Sequence, residues 1–451
     1  MSSSFSFDPQ LEAMSRADLE RYQWQKLVKQ LEFLEATNNF YREKWSREHL
    51  SVGSLTSFSE FAEQVPVTRK AELIEDQAEN PPFGNRLGVE LGKLVQVNLT
   101  GGTSGKGQEI HGLTLSDVAS TAAMYSWGCY WAGLRPGDAI ANTIPVSLAA
   151  AGQWLHASFS QQRLLQLPIG VYDARQKLDF ALKFGAKAVV ATPSYLTTLR
   201  QVASESRVDL RSSSIGVLLT ATEAYSPDWA KRTEEAWGAR LFEWYGATQR
   251  VVAWNCEVGA LNEKGSHGVL HSFPHLVILE VIDPETGSHV APGDEGEVVV
   301  TFLESEASPL VRFATGDRAR FMGWDCCSCG RSFPGIESGT IGRYDDMLKV
   351  KGVNLWPASV DSVVLAHPLV VDYRGRVFTD SEHREQIELH IRFQQPSPET
   401  TIDRTVRELQ EKLRHQVGLR FEIVAAAELA DEFRDERTKA RRWRDERIVR
   451  A

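Results

Sequence analysis

Apolar positions along the chain change their spacing from one stretch to the next. Near the start, Trp24, Leu27, Val28, Leu31 and Leu34 recur at helical intervals behind Ser15-Arg-Ala-Asp18. That tetrad reads as a capping box, so a long amphipathic opening helix is expected. Beyond Gly107, short apolar runs such as Ala188-Val-Val-Ala191 and Ile215-Gly-Val-Leu-Leu219 alternate with helical stretches such as DARQKLDFALKFG, which opens at Asp173. The alternation predicts an α/β sheet with its loops gathered at one edge. Two strand-rich runs follow, Leu276 to Gly287 and Glu295 to Leu303, with turn chemistry between them. They predict an antiparallel β subdomain. After about residue 345 the texture changes again. Ile387, Leu389, Ile391 and Phe393 alternate with polar residues as a half-buried strand, and Ile402, Val406, Leu409, Leu413 and Val417 form a helical stripe that Gly418 closes.

The expected fold class is therefore α/β. A large N-terminal domain, 1–344, carries α/β sheets and a β subdomain, and a small C-terminal α+β domain takes 345–451. A length of 451 residues fits more than one domain. A net charge of −10 argues against nucleic acid as a partner, because phosphate-backbone binding wants a basic surface. The N-terminal MSSSFSFDPQ has no basic start before an apolar run, and no apolar stretch is long enough for a membrane span. A cytoplasmic protein without membrane contact is expected. Five cysteines are too sparse for a disulfide scaffold, and Cys326, Cys327 and Cys329 cluster, which suggests a metal.

Candidate chemistry concentrates in a few phrases. "LTGGTSGKGQEI", Leu99 to Ile110, holds four glycines, two threonines, a serine and a lysine. A backbone that must approach phosphate closely is built this way. It is not the common nucleoside-triphosphate loop: Thr100 stands where that pattern needs its first glycine, and Lys106 precedes Gly107 rather than a hydroxyl. "EWYGATQ" (Glu243 to Gln249) joins aromatics to a tight turn and a hydroxyl. "SPLVRFATGD" (Ser308 to Asp317) sets an acid after Thr-Gly, "GRYDDMLKVKGVNLWP" spans Gly342 to Pro357, and "TKARRWRDER" spans Thr438 to Arg447.

In order and separation these phrases, with "TPSY" (Thr192 to Tyr195) and "CSCGRSFPGIESGTIGRYDDMLKVKGVN", resemble the phenylacetate–CoA ligase family of adenylate-forming enzymes over nearly the whole chain. The resemblance implies a two-step reaction. A carboxylate attacks the α-phosphate of ATP, and the thiol of CoA then displaces AMP from the acyl-adenylate. Transfer to a carrier-protein thiol or an amine is the alternative second step. A zinc-stapled nucleotide-binding module without catalysis is the non-enzymatic reading, against which Lys439 speaks.

The resemblance also implies roles. Thr100, Gly101, Gly102, Thr103, Ser104, Gly105 and Lys106 would cradle the β- and γ-phosphates. Tyr245 would stack on adenine beside Gly246, Thr248 would donate to the α-phosphate, and Glu223 would lie near the adenine. Asp317 would accept the ribose hydroxyls, with Arg343 near the ribose or phosphate. Lys439 would be the catalytic lysine, and Asp345 the hinge about which the small domain turns to bring "LKVKGVN" to the thiol tunnel. Gln249 stands where the family has a magnesium-binding glutamate, and a neutral amide binds a hard cation less well. Mg²⁺ would then be held mostly by phosphates and water. Cys256, His271, Cys327 and Cys329 match a structural zinc site; His275 is a rival ligand, and Cys256 as a plain buried residue is the alternative. "SLAAAGQWLHASF", with Ala151, Gly152, Trp154 and His156, and Tyr125 are expected at an acyl pocket narrowed by Ala149, Ala150 and Ala151. A benzoate- or anthranilate-type acid, or phenylacetate, is the expected substrate, and a homodimer the expected assembly.

Overall fold

A computed structural model describes residues 6–100, 108–246, 249–380, 382, 384–395, 397–429 and 442–447. The opening helix is there: Arg16–Thr37, with the Ser15 side chain accepting from the Asp18 amide. Leu27, Leu31 and Leu34 are fully buried on its inner face, against Ile278, Leu303 and Val311.

The centre of the molecule is a twelve-stranded sheet. Five of its strands are parallel, in the spatial order Leu165–Pro168, Ala139–Asn142, Ala188–Val190, Val217–Thr220 and Arg240–Gly246. Successive side chains of a strand point to opposite faces, and both faces here are covered. Ala188, Val190, Val217 and Leu219 join one apolar cluster, while Val189 and Leu218 join another. That explains the unbroken apolar runs in the sequence. Helices Ala150–Gln161, Ala174–Lys183, Pro193–Glu205 and Pro227–Trp237 lie between these strands in sequence.

The strand-rich runs expected as an antiparallel β subdomain do pair antiparallel, and they continue the same sheet. Arg240–Gly246 pairs antiparallel with Val251–Asn255, and the path continues through Val269–Ser272, Gly335–Glu337 and Phe313–Gly323 to Glu295–Phe302 and Val277–Ile282. The antiparallel texture was legible, but edge-to-edge pairing to the parallel half is a long-range choice that local pattern does not encode.

Residues beyond Leu348 form their own core. Glu385–Phe393 pairs with Val370–Thr379 in a four-stranded sheet, covered by Pro357–Val364 and by Glu399–Val417. Gly418 ends that last helix at φ +75°, as its place in the sequence predicts. Val350, Val360, Tyr373, Leu389, Leu409 and Leu413 pack together, in a cluster that among the described residues draws none from before Leu348. Among the described residues, too, no helix is long and apolar enough to cross a membrane.

One buried ion pair ties the large body together. Asp117 closes a capping box with Thr114 at the start of helix Leu115–Trp131. Its carboxylate also accepts from the Glu306 and Ala307 amides and lies 2.6 Å from Arg250. Arg250 donates in turn to Ser120 Oγ and to the Glu304 carbonyl. The Arg250 and Asp117 side chains are 3% and 1% exposed, so losing one partner leaves a bare buried charge. Arg250→Met is expected to lower unfolding free energy by about 3–5 kcal/mol in denaturant titration. Arg16→Ala, which breaks the exposed Arg16–Glu20 pair, should cost less than about 1 kcal/mol. Equal small losses would mean the buried pair is not a keystone.

Candidate nucleotide site and thiol cluster

In open α/β sheets, ligands bind beyond the carboxyl ends of the parallel strands. Here those ends are Asn142, Val190, Thr220 and Gly246, and the segments after them carry "TPSY", "TATEAYSP" and the end of "EWYGATQ". Thr222 adopts φ +76°, an uncommon conformation for a β-branched residue. Such strain persists only where surrounding contacts impose it. The next residue, Glu223, accepts from the Ser194 amide at 2.9 Å and from Ser194 Oγ at 2.8 Å. It is therefore no loose loop glutamate: it locks two strand-end loops together. Arg442 lies 3.6 Å from Glu223, 3.6 Å from Asp361 and 3.0 Å from Asp372. Burial works against the guanidinium charge, but Asp361, Glu223 and Asp372 together hold its pKa well above the usual value. Arg442 lay unremarked within the basic tail of the sequence.

Tyr245, Asp317 and Arg343 come together. The Tyr245 hydroxyl donates to Asp317 Oδ2 at 2.7 Å, and Arg343 donates to Oδ1 at 3.2 Å. Asp317 and Arg343 face each other across a short antiparallel pairing, so backbone register brings the acid and the base together. Burial first, then the Asp317 charge, pushes the Tyr245 phenol well above its usual pKa. It stays a neutral donor. Thr315, missed in the sequence reading, accepts from the Asp317 amide at 3.0 Å and fixes the turn. At Gly246 a Cβ would come within 2.8 Å of the Arg250 carbonyl and the Val251 Cα, so the tight return of the chain requires glycine there.

Of the glycine-rich loop, Thr100 is described and is buried. Gly101, Gly102, Thr103, Ser104, Gly105 and Lys106 lie outside the described residues, as do Thr248 and Lys439. The two stems of the loop are joined. The Thr100 amide donates to the Glu109 carbonyl, and the Glu109 amide donates to Thr100 Oγ1. Glu109 is 2% exposed and sits in a polar cluster that the sequence reading missed. Its carboxylate meets Lys70 Nζ at 3.1 Å, His111 Nε2 at 3.1 Å and Gln249 Nε2 at 2.7 Å. Burial acts to raise its pKa, yet the His111 and Lys70 interactions bring it down to about 2. The signal was its position directly behind the loop.

The residues expected at an acyl pocket divide. Tyr125 is buried, edge-on to Trp254 at 5.5 Å and to Trp244 at 6.3 Å, and Trp244 and Trp254 stack at 5.3 Å. Trp154 is buried in the same core cluster. Ala151 is half-buried, and Gly152 packs on the segment around Pro145, where its Cβ would lie 2.0 Å from a carbonyl oxygen. His156 is exposed on helix Ala150–Gln161 and does not join the aromatic group. Asp345 lies in a short 3-10 turn, Tyr344–Asp346, between the large body and the small core. "LKVKGVN" forms a hairpin, Leu348–Val350 with Val353–Leu355.

A second constellation lies at the antiparallel end of the sheet. The ligand atoms of Cys256, His271, Cys327 and Cys329 all fall within 4.8 Å of one another. Cys256 Sγ is 3.7 Å from Cys327 Sγ, and Cys329 Sγ is 3.5 Å from His271 Nε2. A tetrahedral zinc with bonds of about 2.3 Å to sulfur and about 2.0 Å to nitrogen needs edges of about 3.8 Å and about 3.5 Å, so this donor set fits. His271 Nδ1 faces the Phe333 carbonyl at 3.3 Å, an outer contact that turns Nε2 toward the thiols. Neither His275 nor Cys326 belongs to the group; the His275 ring packs on Trp127 at 4.6 Å instead.

Known proteins share this fold. A phenylacetate-coenzyme A ligase of Thermus thermophilus is 27% identical over 391 residues, covering 86% of this chain and 85% of its own. Among solved structures, a 2-hydroxyisobutyryl-CoA ligase in the postadenylation state with 2-HIB-AMP superposes with a TM-score of 0.88 at 24% identity, over 99% of this chain and 94% of that one. The anthranilate CoA ligase AuaEII with anthranoyl-AMP gives 0.56 at 19% identity, over 77% and 65%. The AMP-binding enzyme family matches residues 29–301, from the opening helix through the strand ends and into the antiparallel half of the sheet. That span is well over half of the sequence, and this chain belongs to the AMP-binding enzyme family.

Proposed function

We propose that the chain activates a carboxylic acid on ATP as its acyl-adenylate and passes the acyl group to CoA with release of AMP. The observation that carries the reading is Asp317, an acid held between the Tyr245 hydroxyl and Arg343 beside the strand-end loops. An ionised carboxylate can accept from both hydroxyls of a ribose. Tyr245 then lies along the base, and Thr248 and the loop from Thr100 to Lys106 serve the phosphates. Mg²⁺, when bound with ATP, neutralises phosphate charge. The match to a phenylacetate-coenzyme A ligase over most of both chains supports the acid and the CoA steps.

The acid we propose is aromatic and small, of the benzoate, anthranilate or phenylacetate type. Tyr125, Trp244 and Trp254 form a packed group of rings, Trp244 on the strand that also carries Tyr245, and a planar ring gains most against aromatic walls. The small domain, beginning at Asp345, is proposed to turn between the two steps. It withdraws Lys439 and presents the hairpin Leu348–Leu355 to the thiol. In support, Arg442 ties the segment just after Lys439 to Glu223 among the strand-end loops. We further propose that Cys256, His271, Cys327 and Cys329 hold one zinc with no open position, a structural role.

Acid-dependent ATP–pyrophosphate exchange and CoA-dependent AMP release, measured over a panel of acids, test the reaction. Benzoate, anthranilate or phenylacetate should outpace a short aliphatic 2-hydroxy acid; the reverse order would overturn the aromatic reading. Asp317→Asn should raise the KM for ATP about tenfold or more, the loss of a charge-assisted hydrogen bond, and an unchanged KM would place the ribose elsewhere. Lys439→Ala should slow adenylate formation by on the order of 10²–10³ and nearly spare thioester formation from pre-made acyl-adenylate. Equal slowing of both half-reactions would remove the two-step division of labour. Protein purified without chelator should carry about one zinc per chain, and chelation should lower Tm because metal binding is coupled to folding. Metal analysis that finds none sinks the zinc proposal.

A further inference from the structure

The polar cluster behind the glycine-rich loop has a feature that packing alone does not explain. Gln249 is 7% exposed, and its Nε2 donates to Glu109 Oε2 at 2.7 Å, while its Oε1 has no hydrogen-bond partner among the described residues. A buried amide oxygen left unmatched costs free energy. It stands beside a buried, ionised carboxylate at the foot of a loop suited to phosphate. We propose that Glu109 is the protein carboxylate that anchors the Mg²⁺ of MgATP in this chain, with Gln249 Oε1 as its neutral second donor. The proposal rests on the ATP-dependent activation proposed above.

Three observations carry it. The first is placement. Thr100 and Glu109 are hydrogen-bonded to each other in both directions, so the carboxylate stands where the loop leaves and returns. The second is donor chemistry. Mg²⁺ takes hard oxygen ligands and is commonly held by one or two carboxylates together with substrate phosphates. Glu109 supplies the charge and Gln249 an oxygen with unused capacity. Lys70 is about a third exposed and touches Glu109 Oε1 at 3.1 Å; its flexible stem would let it swing toward phosphate and release that oxygen. His111 stays on Oε2. Arg86 lies 3.4 Å from His111 Nδ1, which leaves Nε2–H to donate to Glu109 and orient it.

The third is electrostatic exclusion. With Glu109 at hydrogen-bond distance, a glutamate at position 249 would set two carboxylates in contact away from water, and without the cation one of them would be pushed toward its protonated form. The cluster accommodates one carboxylate at 109 or 249, and this chain has it at 109. The missing glutamate at 249 is then a relocated charge rather than a lost one.

The test is the effect of Mg²⁺ on ATP binding. ATP is titrated calorimetrically into the full chain with Mg²⁺ and again with EDTA, and the ratio of the two affinities is compared between variants. Glu109→Gln should cut the ratio by on the order of tenfold or more while metal-free ATP binding is kept or tightened. The exchange Glu109→Gln with Gln249→Glu should bring the ratio back. That double variant keeps one carboxylate and one amide in contact, so it carries the test if Glu109→Gln does not fold. An unchanged ratio in Glu109→Gln, a parallel fall of both affinities, or no recovery in the exchange overturns the proposal. Wild-type protein that binds no ATP overturns the proposed activity and this inference together. Tight ATP binding with an unchanged ratio overturns this inference alone.

Discussion

Most of what is specific about this site depends on the buried contact between Asp117 and Arg250. Asp117 caps a helix, receives two backbone amides from residues 306 and 307, and neutralises Arg250. A carboxylate used this way fixes three chain segments in one place, and its hydrogen bonds offset the desolvation that would make an isolated buried pair unfavourable. The consequences run along the backbone in both directions. One residue before Arg250 is Gln249, and three before that is Gly246, where the chain turns within van der Waals reach of the Arg250 carbonyl. From residue 307 the chain runs into the strand that carries Thr315 and Asp317. Placing Arg250 therefore places the acid, the tyrosine and the amide that border the site.

Rigidity of this kind is needed because the site is assembled from strand ends that share no covalent neighbourhood. Tyr245 comes from the last parallel strand and Asp317 from the antiparallel half, so their 2.7 Å contact joins the two halves of the sheet. The thiol cluster draws on the antiparallel half of the same sheet. Cys256 follows strand Val251–Asn255, and His271 lies within Val269–Ser272. Cys327 and Cys329 sit between the end of strand Phe313–Gly323 and the start of Gly335–Glu337. Neighbouring strands of the antiparallel half are thus gathered at one point.

How much of this was legible in the sequence follows from the range of the interactions. The opening helix with its cap at Ser15, the helix that opens at Asp173 and the helix closed by Gly418 rest on residues within a turn of one another, and they stand as read. Asp317 and Arg343 were named separately, and strand register brought them together. The continuous sheet was not legible, because pairing between Arg240–Gly246 and the strands that follow depends on burial on both faces. Glu109, Lys70 and Arg442 were missed for a related reason. Each is an ordinary charged residue whose meaning lies in partners distant in the chain: Glu109 in Lys70 and Gln249, and Arg442 in Glu223. His156 parts from Trp154 because a helix that buries one residue turns the residue two positions on toward solvent.

The partners of Arg442 also bear on how a small domain can turn without leaving a charge stranded. Asp361 and Asp372 belong to the small core, and Glu223 to the large body. In the rotation proposed above, Arg442 would carry two carboxylates with it and leave one behind. Glu223 would keep both hydrogen bonds from Ser194. Neither side then exposes an uncompensated buried ion: Arg442 keeps Asp361 and Asp372, and Glu223 keeps its Ser194 donors. A contact whose two ends both stay compensated when it opens is suited to holding one arrangement without trapping it. A buried pair like that of Asp117 and Arg250, each the other's counter-ion, would cost several kcal/mol to break at every turnover if it stood between the two cores.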